Sequence, residues 1–416
     1  MSETPRFGID HMPRKPIDHE RYIEPVLPVT PDILIDWNRT TEVQHNLAEW
    51  QENRQKGKLI AIVLCGDARV WIPEDVARRT ASIRALGAGG DQELKGQFAS
   101  IINQPGVNSV AYFGHYDGEK FSPKHAPTGC GITDAHGALQ MLSGEEENGS
   151  SYKTYAKKDI SHSDPVMQAV YSAQDALDLT DKWVAAVALD HRSGSTLPVG
   201  FFRHQDGYTS ETGMNPRYLD MRRYNAGEIY KKGMPVISER QLERMPFELH
   251  EYLNNWQDSM DGVKAGYQAR GIAYEDALKV QNPSIVSLST DPRPLGIMYR
   301  LGPNTAFKLR VPRSTIQDEE FITPDRLQDV LNQAHYPISQ NILHYNQPGA
   351  AFSNTHTLLI QTKDMAKSLK IADAAMTQPH IREWLDLPDD KHPHQIIVGE
   401  VHNGKVEQME VYAQAA

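Results

Sequence analysis

Short apolar runs separated by glycine, proline and charge recur along this chain, and most of them have the length of a strand. The clearest is Leu59-Ile60-Ala61-Ile62-Val63-Leu64, which ends at Cys65 and predicts a strand over 59–65. An apolar run without alternation suits a strand buried on both faces. Ahead of it, Val43, Leu47 and Trp50 recur at helical spacing and predict a helix from Glu42 to Gln55. Ser82-Ile83-Arg84-Ala85-Leu86 predicts a second strand, closed by Gly87-Ala88-Gly89-Gly90, with a helix expected from Asp91 to Asn103. Ser109-Val110-Ala111-Tyr112-Phe113 predicts a third strand, ending at Gly114-His115-Tyr116. A helix from Cys130 to Leu142 and another over 165–180 lead to the fourth strand, Val184 to Leu189. The turn Asp190-His191-Arg192-Ser193-Gly194 then feeds Val199-Gly200-Phe201-Phe202. Strands alternating with helices imply an α/β fold with a mostly parallel sheet flanked by helices. The last hairpin is expected to add an antiparallel edge.

The second half reads as a degenerate copy of the first. Pro283-Ser284-Ile285-Val286-Ser287-Leu288 is again a short apolar strand, followed by Ser289-Thr290-Asp291-Pro292-Arg293. Asp291 and Arg293 thus fall where Asp67 and Arg69 fall, with Ser289 in place of Cys65. Thr357 to Gln361 corresponds to the strand 109–113, and Gln395 to Glu400, with His402-Asn403-Gly404 and Val406, to the hairpin after 184. The tripeptide Asp-x-Arg recurs elsewhere in the chain, so the shared order of elements carries this expectation. The domains expected are an arm over 1–40, a catalytic domain over 41–206, a helical and irregular connector over 207–270, and a metal-free copy over 271–416.

Composition narrows the function classes. Hydrophobic residues make up 39 % of 416, enough for more than one core. No apolar run reaches the ~18 residues of a membrane span, and the first residues lack the apolar core of a signal peptide. A cytoplasmic, reducing location is expected, and two cysteines form no disulfide framework. A net charge of −11 argues against nucleic acid or an anionic membrane as the main partner. Gly87-Ala88-Gly89-Gly90 does not complete a dinucleotide fingerprint, because Gln92 occupies the last glycine position.

Both cysteines sit beside glycine at an expected element boundary: Cys65 before Gly66, and Cys130 between Gly129 and Gly131. With a histidine near Cys130 they form a thiolate–imidazole set that favours Zn²⁺, and three protein ligands leave a fourth position open for chemistry. His115, His125 and His136 are the candidate third ligands. Asp67 and Arg69 follow Cys65 at two-residue steps, so an extended chain carries all three on one side. Asp67 is a hydrogen-bond acceptor for the attacking group or a competing ligand. Arg69 can hold Asp67 off the metal.

The run Cys65-Gly66-Asp67-Ala68-Arg69 resembles the Cys-x-Asp-x-Arg signature of β-class carbonic anhydrases. Arg84 with Gly87 to Gly90 resembles the glycine-rich stretch after that family's second strand. Val110 to Tyr116 is similar to its strand ending in Gly-His, and Gly129-Cys130-Gly131 to the Cys-Gly opening the next helix. Fourteen residues separate His115 from Cys130 here, where the family has two. One intact and one degenerate motif in a single chain further resemble the two-copy carboxysome shell branch, although no extra helical domain precedes the catalytic copy.

The resemblance implies Zn²⁺ held by Cys65, His115 and Cys130, with the Gly-His-Tyr context favouring His115 over His125. It also implies Asp67 and Arg69 as the catalytic dyad, and reversible hydration of CO₂ to bicarbonate by zinc hydroxide. Implied too are an intrachain pseudo-dimer, a homo-oligomer, and a cytoplasmic location with carboxysome components as partners. CS₂ or COS hydrolysis on the same site, and a non-catalytic zinc-containing scaffold, are the alternatives. Two thiolates donate more charge to the metal than imidazoles, so its bound water is the weaker acid. The hydration rate is therefore expected to rise from about pH 7 to about pH 9; a stopped-flow rate that falls over that range contradicts the ligand set.

Overall fold

The computed structural model describes residues 29–65, 71–85, 99, 101–116, 173, 176–190, 194, 196–205, 208–213, 245–274, 284–299, 307–310, 355–387 and 393–414. It is an α/β fold with two mostly parallel sheets and flanking helices. The chain divides into two compact units, one of residues 1–23, 54–65 and 85–275, the other of 24–53, 66–84 and 276–416. No helix among the described residues is long and apolar enough to cross a membrane.

The first sheet is built on β1 (Leu59–Cys65), β2 (Thr80–Ala85), β3 (Val107–Tyr116), β4 (Trp183–Asp190), β5 (Thr196–Gln205) and β6 (Tyr208–Gly213), in the order β2-β1-β3-β4-β5-β6. β1, β3 and β4 are parallel neighbours, and β5 and β6 return antiparallel. Leu59 to Leu64, Val110 to Phe113 and Val184 to Leu189 are all buried, as parallel strands covered on both faces require. Part of that cover is a helix, Phe247–Ala269, designated α4 below. Its buried residues Leu249, Tyr252, Leu253, Trp256, Met260, Val263 and Tyr267 recur every three or four positions. The Trp256 ring stacks on Phe113 at 5.0 Å between centroids.

The second sheet comprises β7 (Ser284–Ser289), β8 (Phe307–Arg310), β9 (Thr355–Thr362), β10 (Gln395–His402) and β11 (Lys405–Gln414), ordered β8-β7-β9-β10-β11. β7, β8, β9 and β10 run parallel, and β11 is antiparallel to β10. Written by rank within each half, the second sheet has the order 2-1-3-4-5 and the first has that order with a sixth strand added, and in both the fifth strand is antiparallel to the fourth. Each also has a register irregularity at the start of its first strand pair, at Leu59/Ile60 and Ser284/Ile285.

Helices α1 (Pro31–Arg39), α2 (Thr41–Gln55) and α3 (Glu74–Ala77) precede or interrupt the first sheet, and α5 (Leu295–Tyr299), α6 (Met365–Thr377) and α7 (Pro379–Leu385) belong to the second half. α6 is capped by Asp364, which accepts from the Ala366 amide at 2.9 Å. With Trp384 and Leu385 of α7, its Ile371, Ala372 and Ala375 pack on Val286, Leu288, Leu358, Ile360, Ile396 and Val398 of the second sheet.

Three differences from the sequence pattern have local causes. Residues 31–39 form α1 within the stretch 1–40 expected as an arm. Thr30 caps this helix, Pro31 occupies its first turn, and Leu34 and Asn38 are buried. Asn38 Nδ2 donates to the Gly404 carbonyl at 2.7 Å while its Oδ1 accepts from the Val406 amide at 2.8 Å, and Arg39 Nη2 donates to the Glu407 carbonyl at 3.1 Å. The hairpin strand β5 is not the edge of its sheet, because β6, within the expected connector, pairs along it. The outer strand of the second sheet, β11, has two register irregularities, where Glu407 and Tyr412 are left out of the pairing with β10. The helices expected over 91–103, 130–142 and 165–180 lie wholly or mostly outside the described residues.

Gly106 sets the start of β1: its carbonyl accepts from the Leu59 amide at 2.9 Å, and its φ is +91°. A Cβ there would collide with the Arg54 backbone carbonyl. Gly106→Ala is therefore expected to cost about 2–3 kcal/mol, read as a lower urea midpoint at unchanged slope.

Candidate functional site

In an open α/β sheet the ligand crevice lies outside the carboxyl ends of the strands, where strand order reverses. In the first sheet that point falls between β1 and β3. β1 ends at Cys65, and β3 carries Gly114-His115-Tyr116 at its own carboxyl end. Val63 pairs with Tyr112, so continuing the register by two residues sets Cys65 against Gly114, next to His115 in the chain. On the other side His115 pairs with Leu189 and Tyr116 with Asp190, the last residue of β4. The backbone thus brings Cys65 and His115 to one sheet edge.

Asp67, Arg69 and Cys130, with the rival ligands His125 and His136, lie outside the described residues. Among the described residues no group of three or more His, Cys, Asp or Glu side chains is placed to hold a metal.

The corresponding edge of the second sheet is described to the side chains. Ser289 ends β7 and pairs with Gln361 of β9, so Ser289 and Thr362 occupy the register positions of Cys65 and His115. Beyond Ser289 the chain makes two consecutive side-chain turns. The Asp291 amide donates to Ser289 Oγ at 3.1 Å, and the Arg293 amide donates to Asp291 Oδ1 at 2.9 Å. Serine and aspartate side chains bond in this way to the amide two residues on. The two-residue spacing of Ser-x-Asp-x-Arg is therefore the spacing this loop requires. The Arg293 guanidinium then closes on the same carboxylate, with Nε 3.4 Å from Oδ1. Both groups are over nine-tenths buried, Asp291 at 6 % and Arg293 at 7 % exposure.

Two polar residues absent from the sequence-level expectations complete this edge. Gln361 Nε2 donates to the Tyr299 hydroxyl, and both side chains are fully buried. Burial pushes the Tyr299 phenol far above its ordinary range; the Gln361 bond opposes this, and the Asp291 charge adds a smaller push upward. Tyr299 is therefore a neutral hydrogen-bonding group at this edge and does not serve as an acid. The pairing joins residues 62 positions apart, for which no local sequence signal exists.

No protein-family model matches this chain, and no curated protein matches it.

Removing one partner of a buried ion pair leaves the other charged and desolvated. Asp291→Ala is accordingly expected to destabilise the protein by about 3–5 kcal/mol, measured by urea unfolding. Asp291→Ala combined with Arg293→Met is expected to be less damaging than the sum of the single changes, because the stranded charge is gone.

Proposed function

We propose that this chain is a zinc-dependent carbonic anhydrase of the β-class type, hydrating CO₂ reversibly to bicarbonate at one site per chain. The observation that carries this reading is the position of Cys65 and His115 at the carboxyl ends of β1 and β3, beside the reversal of strand order. Cys65, His115 and Cys130 are the residues that would hold Zn²⁺, and two thiolates with an imidazole are a donor set that suits it. When bound, Zn²⁺ supplies the Lewis acidity that makes water a nucleophile near neutral pH.

The chain's own contribution lies in Asp67 and Arg69. Asp67 accepts a hydrogen bond from the attacking water and so directs its lone pair at the carbon of CO₂. Arg69 pairs with Asp67, keeps it ionised and fixes its direction. Asp291 and Arg293 support this division of roles, because the same spacing in the second sheet gives an aspartate held by the arginine two residues on.

The second half is a duplicate of the first in this reading, supported by the 2-1-3-4-5 order that the first five strands of each half share and by the antiparallel step from the fourth to the fifth. Ser289 and Thr362 stand at the two ligand positions there, and neither hydroxyl replaces a thiolate or an imidazole as a zinc ligand. One zinc per chain follows.

Stopped-flow CO₂ hydration on metal-analysed protein tests the reading. The expected result is fast hydration at one zinc per chain, reduced more than about a hundredfold in Cys65→Ala, since even residues outside the ligand set cost 10–100-fold in such sites. Zinc at one per chain without hydration would move the assignment to COS or CS₂ hydrolysis, or to a non-catalytic scaffold.

A further inference from the structure

Asn403-Gly404 forms the two-residue turn between β10 and β11, flanked by the paired residues His402 and Lys405. Both turn residues lie in the left-handed region, Asn403 at φ +51° and Gly404 at φ +81°, as a type I′ hairpin requires. Asparagine tolerates that conformation and glycine adopts it freely, which accounts for this dipeptide at this place. The same dipeptide carries a chemical weakness. Glycine has no side chain to shield its amide nitrogen, so that nitrogen is open to bond with the side-chain carbon of the asparagine before it. Asn403 is exposed, so the base and water that such a reaction uses reach it.

Two buried side chains hold the turn from the protein side. Arg293 Nη1 donates to the Asn403 carbonyl, and Asn38 Nδ2 donates to the Gly404 carbonyl at 2.7 Å. Arg293 is itself fixed, with Nε 3.4 Å from Asp291 Oδ1 and Cζ 5.8 Å from the centroid of the Trp50 ring. Trp50 is fully buried on α2, and its Nε1 donates to the Thr80 carbonyl at 2.8 Å. The fit against the turn is close: a Cβ on Gly404 would collide with Arg293 Nη1. Asn38 is anchored as well, because its Oδ1 accepts from the Val406 amide at 2.8 Å. Both carbonyls of the turn are thus tied down while Asn403 stays exposed.

We propose that Asn403 is a site of spontaneous deamidation, restrained in the folded chain by Arg293 and Asn38. In this reaction the Gly404 amide gives its proton to base, and its nitrogen bonds to the side-chain carbon of Asn403. The bond from that carbon to the side-chain nitrogen breaks, and the nitrogen takes a proton from solvent and leaves as ammonia. Water then opens the five-membered imide at either carbonyl, giving aspartate or isoaspartate. One water is consumed and one ammonia released. Ring closure swings the 403–404 peptide unit about the Cα–C bond of Asn403, which carries the Asn403 carbonyl away from Arg293. The reaction is therefore gated by local opening of the turn, and its rate follows the open fraction. Isoaspartate lengthens the turn by one backbone atom, so the modified turn no longer meets both donors.

The test is peptide mass spectrometry of the full-length chain during incubation at mildly alkaline pH, following the mass gain and the isoaspartate at 403. Folded wild type is compared with wild type in urea and with Arg293→Met and Asn38→Ala, whose folding is checked by circular dichroism. The expected result is modification at 403 about tenfold or more slower in folded wild type than in urea. Arg293→Met and Asn38→Ala, while folded, should each accelerate it by about tenfold, since each removes a buried hydrogen bond that holds the turn shut. The chain's other Asn-Gly, at 148–149, serves as the internal reference, and its rate should not differ between the folded proteins.

An Asn403 that stays unmodified even in urea overturns the site. Equal rates in urea and in the folded chain overturn the restraint, as do folded variants that react at the wild-type rate. Acceleration shared with 148–149 also counts against it, because that marks general loosening. If Arg293→Met does not fold, Asn38→Ala and Arg293→Lys decide. The outcome is independent of the reaction proposed for the first sheet, since no step of the test reads CO₂ hydration.

Discussion

Parallel strands must be covered on both faces, and that requirement governs where this chain can do chemistry. The stretches Leu59–Leu64, Val110–Phe113 and Val184–Leu189 carry aliphatic and aromatic side chains with almost no exposure, so no carboxylate, amine, guanidinium or imidazole sits within them. Polar residues that need water, a partner or a ligand are displaced to the carboxyl ends. There the loops leave the sheet, and backbone groups are no longer all engaged in the ladder. Cys65 and His115 fall at those ends, as do Ser289 and Gln361. The second sheet does admit polar side chains among its strands, but under strict conditions. Gln395, for example, is buried while bonding to the Val29 carbonyl at 2.6 Å and to the Thr357 hydroxyl at 3.2 Å.

The spacing Asp-x-Arg follows the first strand of each sheet in the sequence, and it is described to the side chains in the second. In the second, the arginine of Asp-x-Arg is consumed by architecture: a carboxylate, a turn carbonyl and an indole face together surround it. A buried ion pair of this kind contributes little net stability once desolvation is counted, yet it fixes geometry because few alternative arrangements satisfy both charges. In the first sheet the same spacing follows a thiol, and the proposal assigns its geometry to catalysis.

Much of the strand layout was legible in the sequence. The runs at 59–65 and 184–189 are uninterrupted and apolar, 395–400 has an apolar centre between Gln395 and Glu400, and they emerge as β1, β4 and β10 with little change of bounds. The 109–113 run extends in both directions into Val107–Tyr116, because backbone pairing with β4 continues past the last apolar residue. β6, Tyr-Thr-Ser-Glu-Thr-Gly, has no apolar face to announce it and exists by pairing with β5. α1 was obscured by its charges, although its cap and its proline carried the signal. At the candidate site, residues at strand tips were legible from the chain alone. Trp50 and the Gln361–Tyr299 pair were not, because their roles depend on partners 30 and 62 positions away.

Asn38 gives the far edge of the second sheet a particular character. Its side-chain amide donates to one backbone carbonyl of the β10–β11 turn region and accepts from the amide of Val406. Those are the donor and acceptor that a neighbouring peptide unit would present. The sheet therefore terminates beside a mimic of the next strand, one residue wide, with Arg39 engaging the carbonyl that follows and a bulge turning the ladder out of line. Exposed strand edges are the usual templates for runaway intermolecular pairing and fibril growth. Here the first stretch of β11 has its outward backbone groups already engaged, so protection against aggregation is built into the first helix of the described chain.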